Sequence, residues 1–112
     1  MISRTHRLPR ELFNKAFKEG RRVSGPLFMM QSLPVSDGSV RFATVVSKKT
    51  AKTAVARNRV RRRTSAALMA LSPSIDKGNH VIFYAKPGSS ILSQAEIKAA
   101  VSDLLLRARI MR

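Results

Sequence analysis

The 112 residues include no cysteine, which removes disulfide staples and thiolate metal sites from consideration and fits a reducing compartment. Acidic residues are scarce as well: 6 Asp or Glu stand against 22 Lys or Arg, a formal net charge of +16. The longest apolar stretches, residues 26–30 and 81–85, fall far short of the ~18 residues a membrane span needs. No apolar segment follows the arginines of the first ten residues, so a secretory signal is not expected either. These absences point to a cytoplasmic protein with no membrane partner. The length gives room for one domain, 1–112, and excludes a two-domain enzyme.

The catalytic inventory is equally thin. His6 and His80 are far apart in sequence and have no neighbouring carboxylate, so neither reads as half of an acid–base pair or as part of a metal cluster. The acids show no paired spacing: Asp37 reads as a turn residue, Asp76 as a loop residue and Glu96 as a helix cap. No nucleophile dyad and no glycine loop that could cradle a phosphate is present. The expectation is a protein without catalytic residues, metal ligands or a bound cofactor of its own.

What the chain does contain is enough apolar material to fold. Hydrophobic residues make up 44%, too many for a disordered basic tail. Pro9 opens a segment in which Leu12, Phe13, Ala16 and Phe17 share one side and Gly20 ends the pattern. This predicts an amphipathic helix over residues 9–19 that buries Leu12 and Ala16 and leaves Phe13 and Phe17 along one edge. Residues 27–33 and 40–47, joined by Ser36-Asp37-Gly38-Ser39, read as a hairpin. Residues 51–71 lack Gly and Pro and carry a stripe of Ala56, Val60, Thr64, Ala67 and Leu71, which predicts a long helix. Residues 80–86 read as a third strand ended by Pro87-Gly88. Ser93 and Glu96 form a capping box before a last helix buried through Ile97, Val101, Leu104 and Ala108. Arg107, Arg109 and Arg112, in the final six positions, read as a fraying end. The expected class is α+β, a small central sheet with packed helices in the order α-β-β-α-β-α.

The charge is focused. Between Lys48 and Arg63 stand Lys48, Lys49, Lys52, Arg57, Arg59, Arg61, Arg62 and Arg63, with no acid among them. Like charges four apart on a helix, such as Arg57 and Arg61, destabilise it by ~0.2–0.5 kcal/mol. A run of this kind without a relieving carboxylate is a local cost that a phosphate backbone removes. Arginine outnumbers lysine here, and its planar fork holds a phosphate bidentately or stacks on a base. Zinc-finger spacing, a heptad zipper and a short helix-turn-helix are all lacking, so RNA is favoured over duplex DNA. Among the few aromatics, Phe42 and Phe83 sit mid-strand and read as core, whereas Phe13 and Phe17, beside the basic segment 1–8, are the candidates for base stacking. Composition alone leaves open a ribosomal or general RNA-chaperone protein with no defined substrate.

The stretch Ser47-Lys48-Lys49 through Ala56-Arg57-Asn58-Arg59-Val60-Arg61-Arg62 resembles the signature of the bacterial ribonuclease P protein family. The opening Arg7-Leu8, Phe13, Ala16-Phe17 and Gly20, and the strand Val81-Ile82-Phe83-Tyr84-Ala85-Lys86-Pro87, are similar to it in order and spacing, so the likeness runs from Arg4 to about Arg109. The resemblance implies a fold like the second domain of ribosomal protein S5, with a left-handed β-α-β crossover. It implies two partners, the catalytic RNA of ribonuclease P and precursor tRNA, with no obligate protein partner. The RNA, using bound magnesium, removes the 5′ leader. The helix of about residues 51–71 is implied to dock on that RNA through Lys52, Arg57, Asn58, Arg59, Arg61 and Arg62. A cleft between the first helix and the sheet is implied to take the leader, with Phe13 and Phe17 lining it and Lys48 and Lys49 near its rim. The chain departs from the family pattern at Gln31, where an aromatic is common, at Ala51, where glycine is common, and at Arg63, Ser65 and Ala66.

Overall fold

The computed structural model describes residues 4–111. In chain order these form α1 (Arg10–Glu19), β1 (Arg21–Ser24), β2 (Phe28–Pro34), β3 (Val40–Val45), α2 (Ala54–Leu71), β4 (Asn79–Ala85) and α3 (Gln94–Arg107), with single 3-10 turns at Ser72–Ser74 and Ser89–Ile91. The helices follow the local signals closely. Pro9 precedes the first turn of α1, and Gly20 ends it where a Cβ would stand 2.5 Å from the Ala16 carbonyl oxygen. α2 starts at Ala54 because the Thr53 hydroxyl accepts the Ala56 N–H at 3.1 Å, a cap that satisfies one orphan donor. In α3 the Ser93 hydroxyl accepts from Glu96 N at 3.2 Å and the Glu96 carboxylate from Ser93 N at 2.9 Å, which completes the predicted capping box.

The sheet corrects the reading of its strands. Its order is β1-β2-β4-β3, so residues 27–33 and 40–47 are not a hairpin: β4 lies between β2 and β3. β4 is apolar at most positions along its length, as a strand covered on both faces must be, and it pairs antiparallel with β2 and parallel with β3. The segment from Val35 to Ser39 passes over the start of β4. Val35 N donates to the Gly78 carbonyl, and Gly78 N and Asn79 N both donate to the Ser39 carbonyl. Gly78 is required there, at φ 82° and with Val35 O where its Cβ would be. The actual hairpin joins β2 to β1, a strand that sequence reasoning missed because Arg21-Arg22-Val23-Ser24 is polar and lies at the sheet edge. The element order is therefore α-β-β-β-α-β-α, still α+β, with β3-α2-β4 forming a parallel β-α-β crossover.

Period-two alternation along the strands gives the sheet two different faces. Phe28, Met30, Phe42, Val81 and Phe83 pack with Val60, Ala67 and Leu68 of α2 and Ile97, Val101, Leu104 and Leu105 of α3, forming the main core. On the other face Ile82 and Ala16 are buried with Leu8, while Leu12, Phe13, Ala43, Val45 and Tyr84 are only partly covered. The C-terminal end does not fray through position 111: Met111 is buried and bridges to Ile75, and Asp76 N donates to the Ile110 carbonyl. Arg112 lies outside the described residues, as do the first three positions of the basic segment 1–8.

Candidate nucleic-acid interface

α1 lies on the half-covered face, against β4 and β2. Its C-terminal end is tied to the sheet by Gln31, which is 1% exposed. The Gln31 amide nitrogen donates to the Phe17 carbonyl at 3.0 Å and more weakly to the carbonyls of Gly20 and Ala16, while its oxygen accepts the Tyr84 hydroxyl. Gln31 thus turns an apolar strand position into a satisfied polar clamp. Burial pushes the Tyr84 phenol above its ordinary pKa, partly offset by the Arg22 charge, so it stays a neutral donor at physiological pH.

Phe13 and Phe17 run along one edge of α1 with near-parallel rings, 6.5 Å between centroids and 7° between planes. Phe13 is half-buried, and Phe17 is 49% exposed, a large apolar surface to leave in water. Tyr84 and Val45 share this side of the sheet and are partly uncovered. Lys86 follows β4, its ammonium donating to Ser24 Oγ and the Gly25 carbonyl, both at 2.6 Å. Aromatic surface beside α1 is thus left partly open with a lysine on the same side of the sheet, a chemistry suited to unstacked bases and their phosphates.

Lys48 and Lys49 are exposed in the turn that follows β3. Thr50 N and Ala51 N close this turn onto the Ser47 carbonyl, and the buried Thr50 hydroxyl pins it to the Ala85 carbonyl at 2.8 Å. The turn leads directly to α2, which packs on the opposite face. There Lys52, Asn58, Arg59 and Arg62 are exposed, and Arg57 and Arg61 are half-buried. Arg57 folds back to donate to the carbonyls of Ala51 and Lys52 at 3.0 and 3.1 Å, and Arg61 donates to Asn58 Oδ1. Arg59 and Arg62 carry no hydrogen bond or ion pair among the described residues. No acid stands in the first turn of α2, so Lys52 and Arg57 add to the positive end of the helix dipole and concentrate potential there. The one ion pair among the described residues, Arg107 with Asp103 at 3.4 Å, lies elsewhere, on α3.

The two sets of predicted residues therefore occupy opposite faces of one sheet, with Lys48 and Lys49 on the connection between them. Tyr84, Gln31 and Lys86 were not foreseen as site residues. The alternation of β4, which sends Tyr84 to the side opposite Phe83, and the polar Gln31 in an apolar strand were the signals for them. Of the other departures, Arg63 donates to the Leu92 carbonyl at 2.6 Å and its own carbonyl accepts from Gln94, tying α2 to the start of α3. Ser65 and Ala51 are buried, and Ala66 is exposed. His6 and His80 both serve the fold: His6 Nδ1 bonds the Val40 carbonyl at 2.7 Å and its ring lies over Phe42, and His80 Nε2 meets Ser39 Oγ at 3.0 Å. Among the described residues no three His, Asp or Glu side chains converge, and no helix is long and apolar enough to cross a membrane.

Comparison with known proteins agrees with this architecture. The profile of the Ribonuclease P family matches residues 2–109. The chain is 36% identical over 116 residues to the ribonuclease P protein component of Synechococcus elongatus, covering 98% of this chain and 95% of that one. It is 32% identical over 100 residues to the component from an Exiguobacterium species, covering 89% and 86%. Among solved structures, the RNase P protein of Thermotoga maritima aligns with a TM-score of 0.81 at 22% identity, over 91% of this chain and 96% of that one. The Staphylococcus aureus RNase P protein aligns at 0.79 and 18% identity, over 98% and 100%. At these identities the structural matches establish a shared fold.

Proposed function

The chain belongs to the bacterial ribonuclease P protein family and is a protein subunit of that tRNA-processing ribonucleoprotein; from this premise we propose how its two faces divide the work. α2 docks on the catalytic RNA through Lys52, Arg57, Asn58, Arg59, Arg61 and Arg62. The cleft between α1 and the sheet takes the single-stranded 5′ leader of precursor tRNA, with Phe17 and Phe13 offering stacking surfaces and Lys48 and Lys49 meeting phosphates at the rim. Hydrolysis is the work of the RNA and its magnesium, in the cytoplasm, and the protein supplies binding energy and neutralises phosphate charge.

The observation that carries this reading is the separation of the two groups onto opposite faces of one thin sheet. A chain of this size can then hold two RNA segments at once without the contacts competing. Each cation that neutralises a phosphate releases counterions, adding ~0.9 to the salt slope on a duplex and ~0.7 on a single strand. Such contacts lower the magnesium needed to keep catalytic RNA and substrate together.

The test is cleavage of a precursor tRNA by a bacterial catalytic RNA at low magnesium, with and without the protein, alongside binding of precursor and mature tRNA to the holoenzyme. Stimulation and tighter binding of the precursor are expected. Phe17→Ala is expected to weaken precursor binding by ~1–3 kcal/mol, the range for a lost stacking platform, and to leave mature tRNA binding unchanged. Equal losses for both tRNAs would remove Phe17 from the leader site.

A further inference from the structure

Three arginines gather where the chain enters the fold. Residues Arg4 to Leu8 run along the outer edge of β3: Arg7 bridges to Phe42, Leu8 N donates to the Phe42 carbonyl, and Phe42 N donates to the His6 carbonyl. Arg41, on β3, donates through Nη1 to the Arg7 carbonyl at 3.0 Å and to the Arg4 carbonyl at 3.5 Å, which fixes its guanidinium against that segment. An open depression of about 290 Å³ beside it is lined by Arg4, Arg7, Pro9 and Arg41. Arg4 and Arg7 are exposed, and the buried Nε of Arg41 has no partner among the described residues. No carboxylate lines the depression, and among the described residues none forms an ion pair with these arginines; the nearest influence is Asp37, whose charge Arg41 feels at longer range.

Three guanidinium groups held around one hollow with no carboxylate in contact repel one another, and an anion with several oxygens is the group that relieves them. We propose that Arg4, Arg7 and Arg41 form a phosphate-binding site that takes a backbone phosphate of RNA and is separate from both the α2 surface and the leader cleft. Arg41 shares its side of β3 with Ala43 and Val45, the side opposite α2. Four residues of strand, roughly 13 Å, separate it from Val45 at the other end of β3, beyond which Lys48 stands in the turn. The site anchors RNA by charge and reads no sequence, since phosphate contacts position without specifying. It deepens the ribonuclease P reading, on which it rests, by adding a third point of contact. The phosphate belongs either to the catalytic RNA or to the part of a long leader beyond the cleft.

The experiment measures affinity across roughly 50 to 200 mM salt for Arg4→Gln, Arg7→Gln and the double variant, with Lys98→Gln, at an exposed position of α3, as a charge-matched control. One arm uses the protein with catalytic RNA alone. The other uses holoenzyme with long-leader, short-leader and leaderless tRNA. Each arginine replacement is expected to lower the slope of log affinity against log salt by roughly 0.7–0.9 in one arm, with Lys98→Gln leaving it unchanged. A drop with catalytic RNA alone identifies that RNA as the source of the phosphate, and a drop confined to the long leader identifies the substrate. Unchanged slopes in both arms, or an equal drop for Lys98→Gln, overturn the site. Loss of leader dependence in the unaltered holoenzyme would instead overturn the cleft assignment, leaving the first arm to decide the arginine site.

Discussion

Phe83 and Tyr84 are neighbours in β4 and point to opposite sides of the sheet, into surroundings of opposite character. Phe83 is fully buried, edge-on to Phe28, and closed over by α2 and α3. Tyr84 is only partly covered, and its hydroxyl is tied to a buried glutamine in place of a hydrocarbon neighbour. The first face is mainly apolar, with the small hydroxyls of Ser32, Thr44 and Thr64 among its aliphatic and aromatic side chains, whereas the second mixes the larger polar groups of Gln31, His80 and Tyr84 with Leu8, Ala16 and Ile82. The first face is closed by two helices, and that frees the other to remain half-open, as the proposed leader site requires. A second short helix laid over Tyr84 would bury more apolar surface and would also fill the cleft.

The largest effect that separates the faces is on folding. Phe83→Ala leaves a cavity in close-packed surroundings and is expected to cost about 3–5 kcal/mol in urea unfolding. Phe17→Ala, at an exposed position of the other face, is expected to stay within about 0.5 kcal/mol of the unaltered protein. Comparable losses would break the comparison, because both faces would then be structural. The next effect tests the polar clamp. Gln31→Leu is apolar and of similar size, but it strands the Phe17 carbonyl and the Tyr84 hydroxyl, and a loss of about 1–3 kcal/mol is expected. Tyr84→Phe removes the donor from the same bond, so the two changes should be strongly non-additive in a double-mutant cycle. A Gln31→Leu protein as stable as the original would mean that the second face tolerates an ordinary apolar core.

Much of this architecture was legible in the sequence because its signals are local. Gly20, Thr53 and the Ser93–Glu96 pair announce helix ends through backbone hydrogen bonds formed within a few residues. The stripe of α2 and the unrelieved arginines beside it show which side of that helix is buried and which meets solvent. Strand order was not legible, because nothing in residues 27–47 records that β4 will insert between β2 and β3; that pairing forms only after α2 has returned the chain. β1 escaped notice since an edge strand has little need of apolar residues. The clamp was hidden for a related reason. Gln31 stands out in β2 as an anomaly, and its role depends on Tyr84, 53 residues away.

The smallest expected effect is on the pH dependence of stability, and it also separates the faces. His80 lies on the α1 side of β4, buried, with Nε2 against Ser39 Oγ, which in turn donates to Asp37. Burial holds its pKa below the ordinary value of 6.5; the Asp37 carboxylate opposes that shift, and the charges of Arg41 and Lys15 reinforce it. Well above pH 6.5 the imidazole is neutral in both the folded and unfolded chains and contributes no pH dependence. As the pH falls below that value, the unfolded chain takes up a proton that the folded chain resists, so stability declines towards pH 5. The slope is a fraction of the ~1.4 kcal/mol per pH unit that one whole proton would give. Asp37 and Glu96 are held low by their serine hydrogen bonds, so their contributions persist to lower pH, below the ordinary carboxylate range near 4. His80→Gln should flatten the decline between pH 7 and 5 in urea melts and leave the steeper loss below pH 4 in place. An unchanged decline would assign it to groups other than His80, and the α1 face would lose its claim to be the titrating side of the sheet.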